Sequence, residues 1–173
     1  PIFDLNSQVI GFGGRIFKKE DGAKYINTPA TLIYDKGKVL YGLDRAKVEI
    51  RKRNFCILVE GYIDTILAHQ EGFENTVSVS GTALTQYQLA LLKRYSENLY
   101  LAFDMDIGGD FATKRGIDLA QQAGFNIKIL ILPKEKDPAD ILSKNKEHFE
   151  NIVSQAVSIL DFYFQSAFSR FDK

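Results

Sequence analysis

The sequence predicts an α/β fold: a mostly parallel sheet flanked by helices, preceded by a small, partly β region and followed by a helical tail. Three observations carry that prediction. Short strand-like runs at 55–59, 76–79, 98–103 and 127–132 alternate with helix-patterned stretches, the layout of right-handed βαβ crossovers. The runs 55–59 and 99–103 are apolar throughout rather than alternating, as strands covered on both faces are. Both stop at an acid, Glu60 and Asp104, which places those carboxylates at strand C-terminal ends, the edge of an open α/β sheet where ligands bind.

Residues 1–51 form the partly β region. Val9 to Phe17 mixes strand formers with Gly11, Gly13 and Gly14, which suit bulges or close backbone approach. Glu20-Asp21-Gly22 is a turn signal, and Asn27-Thr28-Pro29 is a second break. Val39-Leu40-Tyr41-Gly42-Leu43 then turns into a short helix expected over about 44–51, with a strongly basic end.

The regular alternation follows. Strand 55–59 leads into a helix through Ile63, Ile66, Leu67 and His69, stopped near Gly72. Strand 76–79 leads to a helix opened by Thr85, with Gln88 at capping-box spacing and Tyr87, Leu91 and Tyr95 recurring at helical intervals. Strand 98–103 precedes a helix over about 109–123, ended by Gly124, and a last strand runs from Ile127 to Leu132 before Pro133. Asp137-Pro138 reads as an N-cap with proline at the first helical position. From Lys146 onward, Phe149, Ile152, Val153, Ala156, Ile159, Leu160 and Phe164 mark an amphipathic helical tail.

The 22 basic and 22 acidic residues cancel, which removes any argument for nucleic-acid binding from net charge and leaves only local clustering. A single cysteine, Cys56, lies inside an apolar run; there is no disulfide framework or zinc spacing, and a reduced, cytosolic setting is expected. No run approaches the roughly 18 to 20 apolar residues that span a bilayer and no signal-peptide pattern opens the chain, so a soluble protein is expected. The start at Pro1, as if in mid-fold, suggests a piece of a longer protein.

Hard divalent cations take oxygen ligands, and Mg²⁺ in particular is held by one or a few carboxylates while keeping waters and substrate phosphates. Glu60, Asp104 and Asp106 meet that need if neighbouring strands bring them together, with Gly108-Gly109 supplying the turn that lets both aspartates face one site. The bland alternative for each acid is a helix cap or a solvated charge. Asp64, four residues after Glu60, either supports the same site or complements the helix dipole. Asp137 is an N-cap that also follows a strand of the same sheet. His69 and His148 have no partners at metal spacing. With no Gly-x-x-x-x-Gly-Lys-[Ser/Thr] loop, phosphate would be held by basic side chains of the first fifty residues, each of which alone also reads as a solvated charge.

Glu60-Gly61-Tyr62-Ile63-Asp64 and Asp104-Met105-Asp106 resemble the two signatures of the Toprim fold, shared by primases, topoisomerases and some nucleases. The flanks narrow the resemblance. Val9 to Arg15, Lys24-Tyr25-Ile26-Asn27-Thr28-Pro29, Leu40-Tyr41-Gly42-Leu43, Ser80 to Thr85 and Lys136-Asp137-Pro138 resemble, in order, the motifs of the bacterial replicative DNA primase family. The chain departs from that pattern at Met105 and Gly108. It departs again at Ala139, which stands for the second acid of an Asp-Pro-Asp, with Asp140 one place later.

The resemblance implies a Toprim-like sheet within a primase RNA-polymerase domain. Residues 1–51 would be the C-terminal part of its N-terminal polymerase subdomain, 52–144 the Toprim catalytic subdomain and 145–173 the start of a helical subdomain. It implies synthesis of short RNA primers on single-stranded DNA from ribonucleoside triphosphates, with an RNA–DNA hybrid as product. Glu60, Asp104 and Asp106 would be catalytic metal-binding acids, with Asp64 and Asp137 supporting them. Arg15, Lys24, Asn27 and Lys36 would face template or nucleotide phosphates. The metal would be Mg²⁺, with Mn²⁺ as substitute, and zinc would belong only to a domain outside this sequence. A replicative helicase would be met through a C-terminal domain also outside it, in the bacterial cytoplasm at the replication fork. A Toprim nuclease or topoisomerase piece, and a non-catalytic nucleic-acid-binding platform, are the rival readings.

Overall fold

The computed structural model describes residues 1–16, 25–103 and 111–171. Four short strands open the chain: β1 (Ile2–Phe3) pairs antiparallel with β2 (Val9–Gly11), and β3 (Gly13–Arg15) with β4 (Tyr25–Asn27). A 3₁₀ turn at Lys36–Lys38 precedes α1 (Leu43–Arg53). The turn into α1 needs Gly42, whose φ of 82° lies in the left-handed region and where a Cβ would stand 2.8 Å from Thr65 Cγ2.

The expected α/β unit follows as β5 (Cys56–Val59), α2 (Tyr62–Gln70), β6 (Thr76–Ser78), α3 (Gln86–Lys93), β7 (Asn98–Leu101), α4 (Phe111–Gln122) and β8 (Asn126–Ile129). The sheet order is β6-β5-β7-β8 with all three pairings parallel, so the crossovers place helices on both faces. The chain continues through α5 (Pro138–Leu142) and α6 (Lys146–Ser154). The tail is then not one helix. Val157–Ser158 forms β9, antiparallel to β8, before α7 (Ile159–Phe171). An open backbone edge on β8 favours this pairing over continued helix, a tertiary effect that helical periodicity does not report.

Both sheet faces are covered, as the uninterrupted apolar run of β5 requires; all four of its residues are buried. On one face Leu58, Leu99, Leu101 and Ile129 pack with Ala46 and Ile50 of α1, Leu89 and Leu92 of α3 and Ile117 of α4. On the other, Ile57, Val59 and Leu130 pack with Ala68 of α2, Ile141 and Leu142 of α5 and Phe149 and Ile152 of α6. Of the stripe read in sequence, Leu91 and Tyr95 pack partly buried against this core and Tyr87 is 67% exposed beneath the Lys38 ammonium, while the buried residues facing the core are Leu89 and Leu92. Cys56 is buried, and that burial raises its thiol far above the ordinary range.

The N-terminal region is fastened to the sheet at two places. Tyr41 exchanges backbone hydrogen bonds with Ser78, at 3.0 and 3.1 Å, extending the sheet beyond β6. A small third cluster, Ile2, Tyr34 and Tyr62, joins the opening strands to α2. Among the described residues no helix is long and apolar enough to cross a membrane.

Candidate active site

A cleft of about 430 Å³ opens at the C-terminal edge of the sheet, lined among others by Asn27, Lys36, Glu60, Asp64, Gly81 and Asp137. Its base is set by backbone bonding that runs past the strand ends. Val79 and Ala102 donate to the carbonyls of Val59 and Leu58, and the Ser80 N–H donates to the Glu60 carbonyl at 2.9 Å. Glu60 is thereby held between the ends of β6 and β7. Ser80 and Gly81 both take positive φ, 58° and 75°, which turns the chain sharply out of the sheet beneath the cleft.

Asp64 lies one turn into α2 and is only 7% exposed. Its Oδ2 accepts from the Gly61 N–H and its Oδ1 from the Ala139 N–H, each at 3.1 Å. One carboxylate thus ties the residue after Glu60 to the first turn of α5, two residues beyond Asp137. Burial, followed by the negative charges of Asp137 and Glu60, pushes its pKa up to about 6 despite the two N–H donors. Asp137 caps α5, its Oδ1 accepting from the Asp140 N–H at 2.7 Å, with Pro138 at the first helical position as expected. The side chain of Ala139 is buried and Asp140 is exposed, so the carboxylates at this corner of the cleft are those of Asp64 and Asp137.

Lys36 reaches the cleft from the 3₁₀ turn, and its ammonium lies 4.0 Å from where a Cβ on Gly81 would be. That turn is anchored by α3. The capping box foreseen at Thr85 and Gln88 is present, Thr85 Oγ1 accepting from the Gln88 N–H and Gln88 Oε1 from the Thr85 N–H. The same two side chains reach outward: Thr85 Oγ1 donates to the Gly37 carbonyl at 2.6 Å, and Gln88 Nε2 to those of Lys36 and Val39 at 3.2 and 2.9 Å. Gln88 is fully buried, so its amide replaces solvent for three backbone groups.

Five of the residues singled out from sequence, Asn27, Lys36, Glu60, Asp64 and Asp137, therefore meet in one cleft. Arg15 does not. It is exposed on β3 with its guanidinium 5.7 Å from the centroid of Tyr25, whose ring lines both this cleft and the neighbouring one that Arg15 borders. Lys24, Asp104 and Asp106 lie outside the described residues. His69 accounts for itself structurally, its Nε2 lying 2.7 Å from the Thr76 carbonyl. Tyr62, Ser80 and Gly81 also line the cleft; the motifs containing them were visible in sequence, but nothing local marked those three side chains.

The donor set has the chemistry of a hard-cation site, since every acidic group facing the cleft offers carboxylate oxygen. Among the described residues no three His, Cys, Asp or Glu side chains converge closely enough to hold a metal. Both Asp64 oxygens are occupied by backbone N–H groups. Of the acids expected to hold a cation, Glu60, Asp64 and Asp137 line the cleft, and Asp104 and Asp106 lie outside the described residues.

Residues 57–142 match the family model described as Toprim-like, and residues 1–47 match that of the DNA primase catalytic core, N-terminal domain. A DNA primase of Clostridium acetobutylicum is 46% identical over 169 residues, covering 97% of this chain and 28% of that protein. The crystal structure of the zinc-binding and RNA polymerase domains of the Aquifex aeolicus primase superposes with a TM-score of 0.87 at 36% identity, covering 99% of this chain and 43% of that one. A structure of the DnaG primase catalytic domain bound to single-stranded DNA superposes with a TM-score of 0.83 at 34% identity, covering 96% of this chain and 55% of that one. The chain spans less than a third of the length of the curated relative.

Proposed function

We propose, from the premise that this chain belongs to the DNA primase family, that it is the catalytic core of a primase, joining ribonucleotides on a single-stranded DNA template. The observation that carries this reading is the meeting of Glu60, Asp137, Lys36 and Asn27, from four separate segments, in one cleft at the C-terminal edge of the sheet. Carboxylates and a lysine gathered this way suit a substrate that brings both phosphate and a cation.

In the reaction, a ribonucleotide 3′-oxygen forms a bond to the α-phosphorus of an incoming ribonucleoside triphosphate, and the bond to the β-phosphate oxygen breaks, releasing pyrophosphate. Mg²⁺, or Mn²⁺ in its place, held by Glu60 with Asp104 and Asp106 would favour the attacking alkoxide and neutralise charge on the leaving oxygen. Lys36 pairs with triphosphate oxygens as a point charge, and Asn27 donates to the same group. Asp137 adds negative charge to the cleft lining, while Asp64 holds the loops carrying Glu60 and Asp137 at fixed separation. Arg15 and Lys24, outside the cleft or beside its rim in sequence, track template phosphates, which implies weak base preference and marked salt dependence.

The further partners follow from the same family. An RNA–DNA hybrid leaves the cleft, a replicative helicase is met through a domain beyond this chain, and work proceeds at the fork in the bacterial cytoplasm. Zinc belongs to a separate domain, as in the Aquifex structure. The residue groups 1–51, 52–144 and 145–173 would act as polymerase-subdomain end, Toprim unit and start of a helical subdomain.

The test is primer synthesis on single-stranded DNA with Mg²⁺ or Mn²⁺, using this chain within a protein of the length of its relatives, and its Glu60→Ala and Asp104→Ala variants. Metal-dependent RNA products from the parent, lost in both variants, are expected. Cleavage of the DNA instead of synthesis would favour the nuclease reading; full synthesis by both variants would remove the metal assignment.

A further inference from the structure

Tyr62 lies inside the Glu60–Asp64 stretch, is 9% exposed and packs with Ile2 and Tyr34 of the opening region. Its ring packs edge-on against Tyr41, at 4.7 Å between centroids and 77° between planes, and against Tyr25 at 6.4 Å and 62°. Its hydroxyl donates to Asn27 Oδ1 at 2.6 Å. Tyr34 stands behind it, 2% exposed. Burial, and then the charge and hydrogen bonding of the Tyr62 phenol, hold the Tyr34 hydroxyl protonated far above the usual tyrosine range.

The backbone is built around this pair. Gly13 is the β-ladder partner of Asn27, and a Cβ at Gly13 would stand 2.8 Å from Tyr62 Cε2 and 3.1 Å from Asn27 Oδ1. Three distant stretches, the glycine-rich strand, the Asn27 strand and the start of α2, thus close on one hydrogen bond.

A primary amide has two orientations of almost equal shape, one presenting an acceptor and the other two donors. Asn27 lines the cleft together with Lys36 and the carboxylate residues Glu60, Asp64 and Asp137. A hydroxyl donor fixed at Oδ1 leaves Nδ2 as the group Asn27 can offer to a ligand. We propose that Tyr62 is a positioning residue that locks the Asn27 amide with its donors toward the cleft, so that Asn27 binds a phosphate oxygen of a ribonucleoside triphosphate. The identity of the ligand rests on the function proposed above; the locking of the amide does not. Gly13 is the space that lets the lock close.

The experiment uses this chain with ¹⁵N-labelled asparagine, the Asn27 side-chain signal being assigned by its loss in Asn27→Ala. Tyr62→Phe keeps the ring against Tyr41 and Tyr25 and removes only the hydroxyl. Without nucleotide, Tyr62→Phe and Gly13→Ala should each shift the Asn27 Nδ2H₂ pair and speed its exchange with water, with the remaining backbone spectrum retained in Tyr62→Phe. An unchanged Asn27 pair in Tyr62→Phe overturns the proposal. Titration with ATP and Mg²⁺ then tests the ligand. Tyr62→Phe and Asn27→Ala should each weaken binding by about 10-fold or more, the scale of one hydrogen bond to a charged group, and the double variant should be no weaker than Asn27→Ala alone. Independent, multiplying effects overturn the positioning role while leaving the nucleotide reading intact. A wild-type chain whose Asn27 signals shift in Tyr62→Phe but never respond to ATP supports the lock and removes the nucleotide reading instead.

Discussion

Replacing Asp64 by asparagine isolates the electrostatic cost of the buried corner between α2 and α5. Its pKa is pushed up to about 6 from the ordinary aspartate value of 3.8, because burial and the charges of Asp137 and Glu60 outweigh the hydrogen bonds from Ala139 and Gly61. The shift is upward, so the stability it contributes is fully present below the unfolded value and is lost as pH rises through the folded one. With those two values the linkage relation gives about 1.4 kcal/mol lost between about pH 5 and 7.5, and about 2.4 kcal/mol counted from about pH 4. Asparagine has the same outline but no titration. The assay is urea unfolding of both proteins in EDTA across this range, followed by circular dichroism. The stability of the parent relative to Asp64→Asn should be greatest at the acid end and shrink by about that first amount toward neutrality. A difference that stays constant, or grows with pH, would refute the claim that burial, and then the charges of Asp137 and Glu60, raise the Asp64 carboxyl.

Gln88→Ala removes the side chain that satisfies the Thr85 N–H and the Lys36 and Val39 carbonyls, and should cost about 3 kcal/mol in urea unfolding at roughly 1 kcal/mol per hydrogen bond. Because the same bonds anchor the Lys36 turn, ATP binding should weaken in that variant even at temperatures where the fold is intact. Gly42→Ala puts a Cβ 2.8 Å from Thr65 Cγ2 at a φ of 82°, and should lower stability by about 1–3 kcal/mol, read from the same denaturation curves. Phe149→Ala, which empties a fully buried site against Phe73, should cost about 3–5 kcal/mol. Arg15→Ala and Lys24→Ala should each weaken single-stranded DNA binding and flatten its dependence on the logarithm of salt concentration by about one phosphate contact.

The scaffold was legible because its signals are local. A fully apolar run such as Cys56 to Val59 admits one reading once helices flank it, and Thr85 with Gln88 announces a helix start within four residues. Neighbours across the fold decided the rest. Of Tyr87, Leu91 and Tyr95, spaced for a helical face, Leu91 and Tyr95 pack partly buried against the core, but its buried positions go to Leu89 and Leu92, one step round the same helix, and Tyr87 is exposed. Val157 and Ser158 carry a helix-compatible pattern, yet the unpaired edge of β8 draws them into a strand. Asp64 was divided in sequence between metal support and helix dipole; its two oxygens in fact meet N–H groups 3 and 75 residues away, and the second contact has no local signature. The bond from Tyr62 to Asn27 spans 35 residues, and the same limit hid it.

We propose that the cleft at the sheet edge is a cation site built on Glu60 and completed by Asp104 and Asp106. Electron paramagnetic resonance of free Mn²⁺ titrated with this chain measures that directly. The account predicts saturable Mn²⁺ binding that weakens at least about tenfold in Glu60→Ala and in Asp104→Ala, the range seen when a ligand shell is broken. Mn²⁺ affinity equal to that of the parent in both variants would contradict it.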